Sequence, residues 1–531
     1  MSAEATVPAE EARGDSLLAV LLAMAMFVLV VDTSLMNVSI SAVVHDLDTT
    51  ASGVQSAIAL EALVSAAFIL IGGKVADLIG RKRAYILGLI AYALGALSMT
   101  LAQTLTPIII FWAVIGGLGA SLLLPSMQAL IHGNFEGPMQ RKAYALVGAS
   151  AAIAAAVGPL LGGFITTYLS WRVAFFGEVV IIAIVLLGSG RIREVPFTGD
   201  RRIDGVGAVL SAVGMGGVVT GILVWQEGGE AVGALLAVGV VALGSLAWWL
   251  KKRKREGKPA LIDVALFVSQ YFRLGISSQT LQQIALGGLM IALPIYFQMV
   301  LEYNALEAGL SIAPLSLTMF AVAIVAGRKA GGRSPSRLIL AGFVLLFAGV
   351  AILIPIVPRA DSGSAMAIPL IIAGAGFGLL VSQLNNYTLS PIEEERVSEA
   401  AAVNSAGGSF GLSFGLAFAG AIMLASLSLI FTHKANESAV LSPTEQQQVA
   451  DGLEENAEVM TNTHLAELLE GQPEDVQAEI IRINTDSRPI ALQIALLIPL
   501  LAGGIGVFQG FRMTRIPDPE PSSAAESVLG A

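Results

Sequence analysis

Cysteine is absent from all 531 residues. Disulfide frameworks, thiol nucleophiles and thiolate metal sites are thereby excluded. Only four histidines occur, His45, His132, His433 and His464. They are scattered and lie outside the apolar runs, so no buried histidine-based metal or haem site is expected. Charge is scarce as well. Asp, Glu, Lys and Arg make up 13% of the chain, against roughly 25% in soluble domains. Signatures of catalysis and nucleotide use are missing too. There is no GxxxxGK(S/T), no HExxH, no HxxxxD, and no Ser-His-Asp set within the apolar runs. The sequence therefore reads as non-enzymatic, without a cofactor, and not as an ATP-driven pump by itself. A net charge of −10 argues against non-specific nucleic-acid binding.

What the chain has instead is apolar length. Hydrophobic residues reach 55% and the mean hydropathy is +0.76. A bilayer core of about 30 Å needs roughly 20 apolar residues per helix. Fourteen such runs are legible, at 17–39, 52–73, 84–102, 108–131, 143–167, 173–190, 205–225, 231–250, 274–299, 306–327, 338–357, 366–389, 404–430 and 489–510. They are too long and too even for barrel strands. The expected fold class is an all-α polytopic membrane protein. The first run is not expected to be a cleaved signal peptide, because Glu4, Glu10, Glu11 and Asp15 precede it and only Arg13 is basic.

Orientation follows from lysine and arginine. With a cytoplasmic N-terminus, 25 of the 30 basic residues fall in cytoplasmic segments and 5 outside. Both termini are thus expected inside, in a multi-pass protein of the cell membrane. One outer loop is exceptional: residues 432–488 hold twelve carboxylates and three basic residues. It is expected to be a solvated outer cap. Ser442-Pro443-Thr444-Glu445 reads as a capping box with proline at the first helical position. Gly471 is placed to stop a second short helix and Pro473 to start a third.

Three stretches carry a family resemblance. Gly73-Lys74-Val75-Ala76-Asp77-Leu78-Ile79-Gly80-Arg81-Lys82, after the second run, resembles the cytoplasmic signature GxLADRxGRK of the major facilitator superfamily. Glycines permit a tight turn there, and Asp77 can face a helix N-terminus. Leu78 stands where the signature has a basic residue. Gly158-Pro159-Leu160-Leu161-Gly162-Gly163 in the fifth run resembles the antiporter signature GPxxGG of exporters. Its glycines allow close backbone approach and its proline a bend. Asp32-Thr33-Ser34-Leu35-Met36-Asn37-Val38 resembles LDxTIVNVALP of the 14-helix drug:proton antiporter-2 family, with Ser41 in place of the closing proline.

The resemblance spans nearly the whole chain and implies the major facilitator fold with a site near the membrane midplane. Its implied organisation is a cytoplasmic tail (1–16), a six-helix bundle (17–190), an inserted helix pair with flanking basic loops (191–273), a second six-helix bundle (274–510) that includes the acidic loop 432–488, and a tail (511–531). One departure bears on mechanism. The fourth run of relatives usually reads RxxQGxGAA, and that arginine is linked to proton coupling in many of them. Here Ala113 and Gly116 replace the arginine and glutamine. Glu61 and Glu178 meanwhile stand where relatives usually have tyrosine and asparagine.

A charge at the bilayer centre costs at least ~2.5–3.5 kcal/mol on insertion scales. Asp32, Glu61 and Glu178 should therefore face protein or a wet cavity. Desolvation and mutual repulsion penalise ionised carboxylates, so these three are the candidate proton-coupling residues. Gln279, Gln282 and Gln283 share a helix face by their spacing, and Gln383, Asn385 and Asn386 cluster in the twelfth run. With Asn37 they are the candidate substrate-cavity residues. Gly73, Asp77, Gly80, Arg81 and Lys82 are the candidate gate, and Gly158, Pro159, Gly162 and Gly163 the antiporter element.

The resulting expectation is a proton-coupled exporter of hydrophobic or cationic small molecules, working by alternating access as a monomer, with the proton gradient as its energy source. The alternatives are export of a lipid or an endogenous metabolite, or an uncoupled facilitator that has lost the arginine.

Overall fold

The computed structural model describes residues 15–195, 204–226, 229–328, 334–442, 446–447, 449 and 462–519. Most of the two expected tails, and the expected capping box from residue 443 onward, lie outside the described residues. Fourteen helices long and apolar enough to cross a membrane are present among them. In chain order they are α1 (Ser16–Leu47), α2 (Ala51–Ile79), α3 (Arg81–Leu101), α4 (Leu105–Asn134), α5 (Lys142–Tyr168), α6 (Trp171–Arg191) and α7 (Gly205–Trp225). There follow α8 (Val232–Arg255), α9 (Gln270–Met299), α10 (Ala305–Gly327), α11 (Pro335–Arg359), α12 (Gly363–Leu389), α13 (Glu399–Glu437) and α14 (Glu474–Thr514). Each overlaps one of the fourteen apolar runs. An even number of crossings puts both ends of the chain on one face, here the termini face; the opposite is the far face.

Local chemistry starts and stops these helices. Asp15 caps α1 by accepting from Leu17 N at 3.0 Å, and Thr50 caps α2 by accepting from Gly53 N at 3.1 Å. Such caps satisfy backbone donors that the first turn leaves orphaned. Gly80, at φ +101, makes the one-residue joint between α2 and α3, a conformation that favours glycine.

Two helices outrun their apolar segments. The runs 404–430 and 489–510 lie inside α13 and α14, which extend to Glu399–Glu437 and Glu474–Thr514. Backbone hydrogen bonding does not end where hydrophobicity ends. In the polar first turns of α14, Arg482 bridges Glu479 at 2.8 Å and Asp486 at 3.2 Å. The punctuation at 471–473 acts as its residues suggest. A short helix, Asn462–Leu468, ends before Gly471, which sits at φ +95, and Pro473 is the residue before α14.

Within α1–α6, α1 packs on α5 and α6, and α3 on α4 and α6. Within α9–α14, α9 packs on α13 and α14, and α12 on α10 and α11. Helices α7 and α8 pair with each other, and α7 lies against α2 and α13. The two sets meet through α2 with α13 and through α5 with α10.

They meet most tightly toward the far face. Ser41 N donates to Gln298 Oε1 at 3.0 Å. Leu306 N donates to Thr167 Oγ1 at 3.0 Å, and Ser413 Oγ to the Ala59 carbonyl at 2.6 Å. Leu35 to Ile40 on α1 are buried without a break, as are Ile291 to Met299 on α9. Burial thins toward the termini face. On α10 no residue from 317 to 327 is fully buried, whereas Ala308, Ile312 and Leu315 are. The fold is thus shut at the far face and loosens toward the termini face.

Candidate functional site

Asp32 is the centre of the site. It lies midway along α1 and is fully buried. A buried carboxylate must find donors or lose heavily by desolvation. Asp32 finds two, both neutral and both aromatic. Trp112 Nε1 on α4 donates to its two oxygens at 3.1 and 3.0 Å, and the Tyr92 hydroxyl on α3 donates to Oδ2. Trp112 is placed by an unusual stretch of α4: Ile108–Gly116 is wound as a π-helix, a form concentrated at functional sites. Phe175 on α6 packs edge-on against Trp112 with ring centroids 6.4 Å apart and continues edge-on to Trp171 at 6.1 Å.

The other two expected acids join this centre. Glu61 on α2 and Glu178 on α6 are both buried. Each lies within electrostatic reach of Asp32, and all three act on the Tyr92 hydroxyl. Both carboxylate oxygens of Glu178 are enclosed and have no hydrogen-bond partner among the described residues. Among the described residues no basic side chain acts on the set. Ala113, in the position where the resemblance implies arginine, is itself fully buried. Five helices thus contribute three acids and two neutral donors.

The donors are what sequence reasoning missed. Buried Tyr and Trp generally find a partner for their O–H or N–H, and Trp112 immediately precedes Ala113. Those were the available signals. Nothing in the sequence said which acid they serve.

The expected cavity residues divide. Asn37 lies in the shut far-face part of α1, and its Oδ1 is buried without a partner among the described residues. Gln282 and Gln383 are buried, each with an unpartnered Oε1. Gln279 and Gln283 are half-buried and lie against Gly408 of α13, where a Cβ would meet them at 3.6 and 3.7 Å. Asn385 accepts from Asn404 of α13 at 2.7 Å, and Asn386 accepts from Ser390 at 2.6 Å. Asn37 apart, these amides lie in α9 and α12, on other helices than the three acids.

The two sequence motifs are built as contacts between helices. Gly158 and Gly162 press on α1. A Cβ on Gly162 would stand 2.8 Å from Leu35 Cδ2, and one on Gly158 would collide with Ser34. Gly163 faces α10 instead, where a Cβ would meet Leu306 Cα at 2.8 Å, and the Pro159 carbonyl closes on Gly309. One short motif therefore binds α5 to its own set of helices and to the opposite set.

In the gate stretch, Gly73 lies against Pro125 of α4. Asp77 pairs with Arg81 at 3.3 Å. Lys82 Nζ donates to the Ile192 carbonyl at 2.8 Å, and Lys82 N to Glu194 at 3.2 Å. These bonds stay within the first half of the chain.

Comparison with known proteins accords with this architecture. The chain is 29% identical over 397 residues to the puromycin resistance protein of Streptomyces alboniger, covering 72% of this chain and 76% of that protein. It is 28% identical to the multidrug export protein EmrB of Escherichia coli (strain K12), covering 73% and 76%. It is 26% identical to the multidrug resistance protein Stp of Mycobacterium tuberculosis, covering 80% and 79%.

Among solved structures it resembles a bacterial homologue of the human lysosomal transporter Spinster in an inward-facing, unoccupied conformation. The TM-score is 0.61 at 12% identity, over 96% of this chain and 99% of that one. A D-xylose-proton symporter gives 0.57 at 12% identity, over 77% and 90%. At such identity these two show the fold alone. The sequence profile of the Major Facilitator Superfamily matches residues 22–416, and with fourteen membrane-spanning helices packed as described, the chain belongs to that superfamily.

Proposed function

We propose that this transporter exports hydrophobic or cationic small molecules in exchange for protons, by alternating access. The carrying observation is the enclosed set Asp32, Glu61 and Glu178, in which Asp32 accepts from the neutral donors Tyr92 and Trp112 and Glu178 has no partner among the described residues. Three carboxylates so close, without a counter-charge, are costly to keep ionised together. A proton or a cationic substrate relieves that cost, and the two compete for the same charge. That competition is the physical core of antiport. The drug-resistance and multidrug-export relatives support small drugs as the cargo.

In this reading the termini face is cytoplasmic, the 25-to-5 division of basic residues being its support. Substrate reaches the parted side between α1–α6 and α9–α14, with the amides of α9 and α12 offering neutral hydrogen bonds. Far-face opening then exposes the acids to outside protons, whose binding drives the return. Gly158, Gly162 and Gly163 act as the bearing on which the sets tilt. The transporter works as a monomer and needs no metal or organic cofactor.

Purified protein in liposomes tests this directly. A pH gradient of either sign, with a panel of cationic dyes, is expected to drive dye against its gradient in the direction opposite to proton flow. Dye movement that ignores the pH gradient would overturn the proton coupling. An impermeant thiol reagent reaching a cysteine at Thr463 only from the cytoplasmic side would overturn the orientation.

A further inference from the structure

The termini face carries a second charged feature that transport by the acid cluster leaves unused. A cavity of about 450 Å³ opens where the end of α2, the end of α8 and the link from α8 to α9 meet. Lys74, Lys254 and Lys258 line it, with Asp263 and Glu399 on the opposite wall. The link is folded to make this wall. Gly257, at φ +63, turns the chain back on α8, and Lys258 N donates to the Arg253 carbonyl at 3.0 Å, the closure of a Schellman turn. Lys258 is thereby returned beside Lys254. Asp204 fixes the next residues, accepting from Trp249 Nε1 at 3.0 Å and from Leu261 N at 3.1 Å.

The carboxylates here are already committed. Asp263 accepts from Arg396 at 2.7 Å and from Ala265 N at 2.7 Å, and Glu399 accepts from Asp263 N at 2.7 Å. The ammonium groups are less engaged. Among the described residues the Lys258 ammonium pairs with Glu256 at 2.7 Å at the surface, the Lys74 ammonium lies within electrostatic range of Asp77 but makes no direct ion pair, and the Lys254 ammonium has no hydrogen bond or ion pair. Three ammonium groups thus line a cavity whose two carboxylates are already hydrogen-bonded.

We propose that this cavity binds a phosphate-bearing anion through Lys74, Lys254 and Lys258, supplied either by an anionic phospholipid headgroup or by soluble phosphate. Its position suits a headgroup. Trp248, one turn before the cavity, is 62% exposed, and Lys252 lies 5.3 Å over its ring. Tryptophans with adjoining basic residues mark the level of the headgroups. Because Lys74 follows Gly73 in the gate stretch, an anion bridging it to Lys254 ties α2 to the inserted helix pair.

The test uses the full chain in nanodiscs of phosphatidylcholine, with or without phosphatidylglycerol, and native mass spectrometry to count retained lipid. The unaltered protein is expected to retain phosphatidylglycerol over phosphatidylcholine by about tenfold or more, at roughly 1 kcal/mol per lysine. K254Q/K258Q is expected to lose that preference. K251Q/R255Q removes the same charge just outside the cavity and is expected to keep it. In pure phosphatidylcholine, inorganic phosphate is titrated in the same two variants. Phosphate binding that depends on Lys254 and Lys258, without a lipid preference, would assign the soluble source. Equal loss in both double variants, or neither ligand depending on Lys254 and Lys258, overturns the site.

Discussion

In α1–α6 the buried polar groups include acids from three helices, set around one tyrosine and one tryptophan. In α9–α13 they are amides and hydroxyls, some amides paired across helices and some with an oxygen left open among the described residues. The two sets of helices are similar in length and jointly form the shut far face, so the difference is chemical. An acid changes charge when it takes a proton, and its desolvation cost changes with it. An amide changes neither. Only the first set can respond to a proton gradient; the second can respond only to the shape and hydrogen bonding of a ligand.

The largest expected effect breaks the first set. Asp32→Asn keeps size and hydrogen bonding but cannot carry a proton. Uphill efflux in liposomes is expected to fall to background while downhill exchange of substrate stays measurable. Glu61→Gln is expected to be damaging too, and the double variant little worse than the worse single one, because groups that act as a unit are non-additive. Normal uphill pumping by both single variants would make these acids structural and erase the contrast between the halves.

Next in size is the joint that both sets share. Gly163→Val sets a branched side chain against Ala305 and Leu306 of α10. Shut far-face states are expected to become rarer by tenfold or more, since ~1.4 kcal/mol changes a population ratio tenfold. The cysteine-free background makes the measurement simple: a single cysteine at Ser39, buried in the far-face part of α1, should react faster with an impermeant maleimide from the far face. An unchanged rate would remove Gly163 from the closing contact.

Trp112→Phe sharpens the role of the neutral donors. It keeps an aromatic ring beside Phe175 but takes away the N–H that Asp32 accepts. Losing one partner of a buried hydrogen bond costs about 1–3 kcal/mol. A lowered melting temperature in detergent is expected, together with weakened coupling between proton and dye flux. Unaltered stability would mean that Asp32 finds another donor.

The smallest effect is expected in the amide set. Gln282→Leu removes a buried amide whose oxygen has no partner, so stability should change little. Dye affinity is expected to shift a few-fold, differently for each dye, with the proton-to-dye coupling unaltered. Lost coupling in this variant would contradict the division of labour between the halves.

Much of the architecture was readable without coordinates because hydropathy is a local property. Each apolar run of about 20 residues must span the bilayer as a helix, since lipid offers no partner for exposed backbone groups. The joint at Gly80 and the break at 471–473 were legible for the same local reason. Particular residues lay beyond that reach. The polar turns of α14 contain Arg482 with its carboxylates, which no hydropathy window counts as part of a spanning helix. For Asp77 the sequence suggested a helix N-terminus as partner, and the fold supplies Arg81.

The sequence by itself determined the number of crossings, the face shared by the two ends, the superfamily motifs and the presence of three acids inside apolar segments. Depth along a helix follows from a fixed rise of 1.5 Å per residue, so sequence position already placed those acids in the outer halves of their helices, Glu178 only about one and a half turns from the end. Only the tertiary structure decided that they meet, that Tyr92 and Trp112 serve Asp32, and that Gly163 faces the opposite half while Gly158 and Gly162 face their own. The reason is rotational. A helix turns by about 100° per residue, and which side of it meets which neighbour is settled by the packing of small residues between helices, such as Gly162 on Leu35 and Gly309 on Pro159, a property of pairs that no single segment contains.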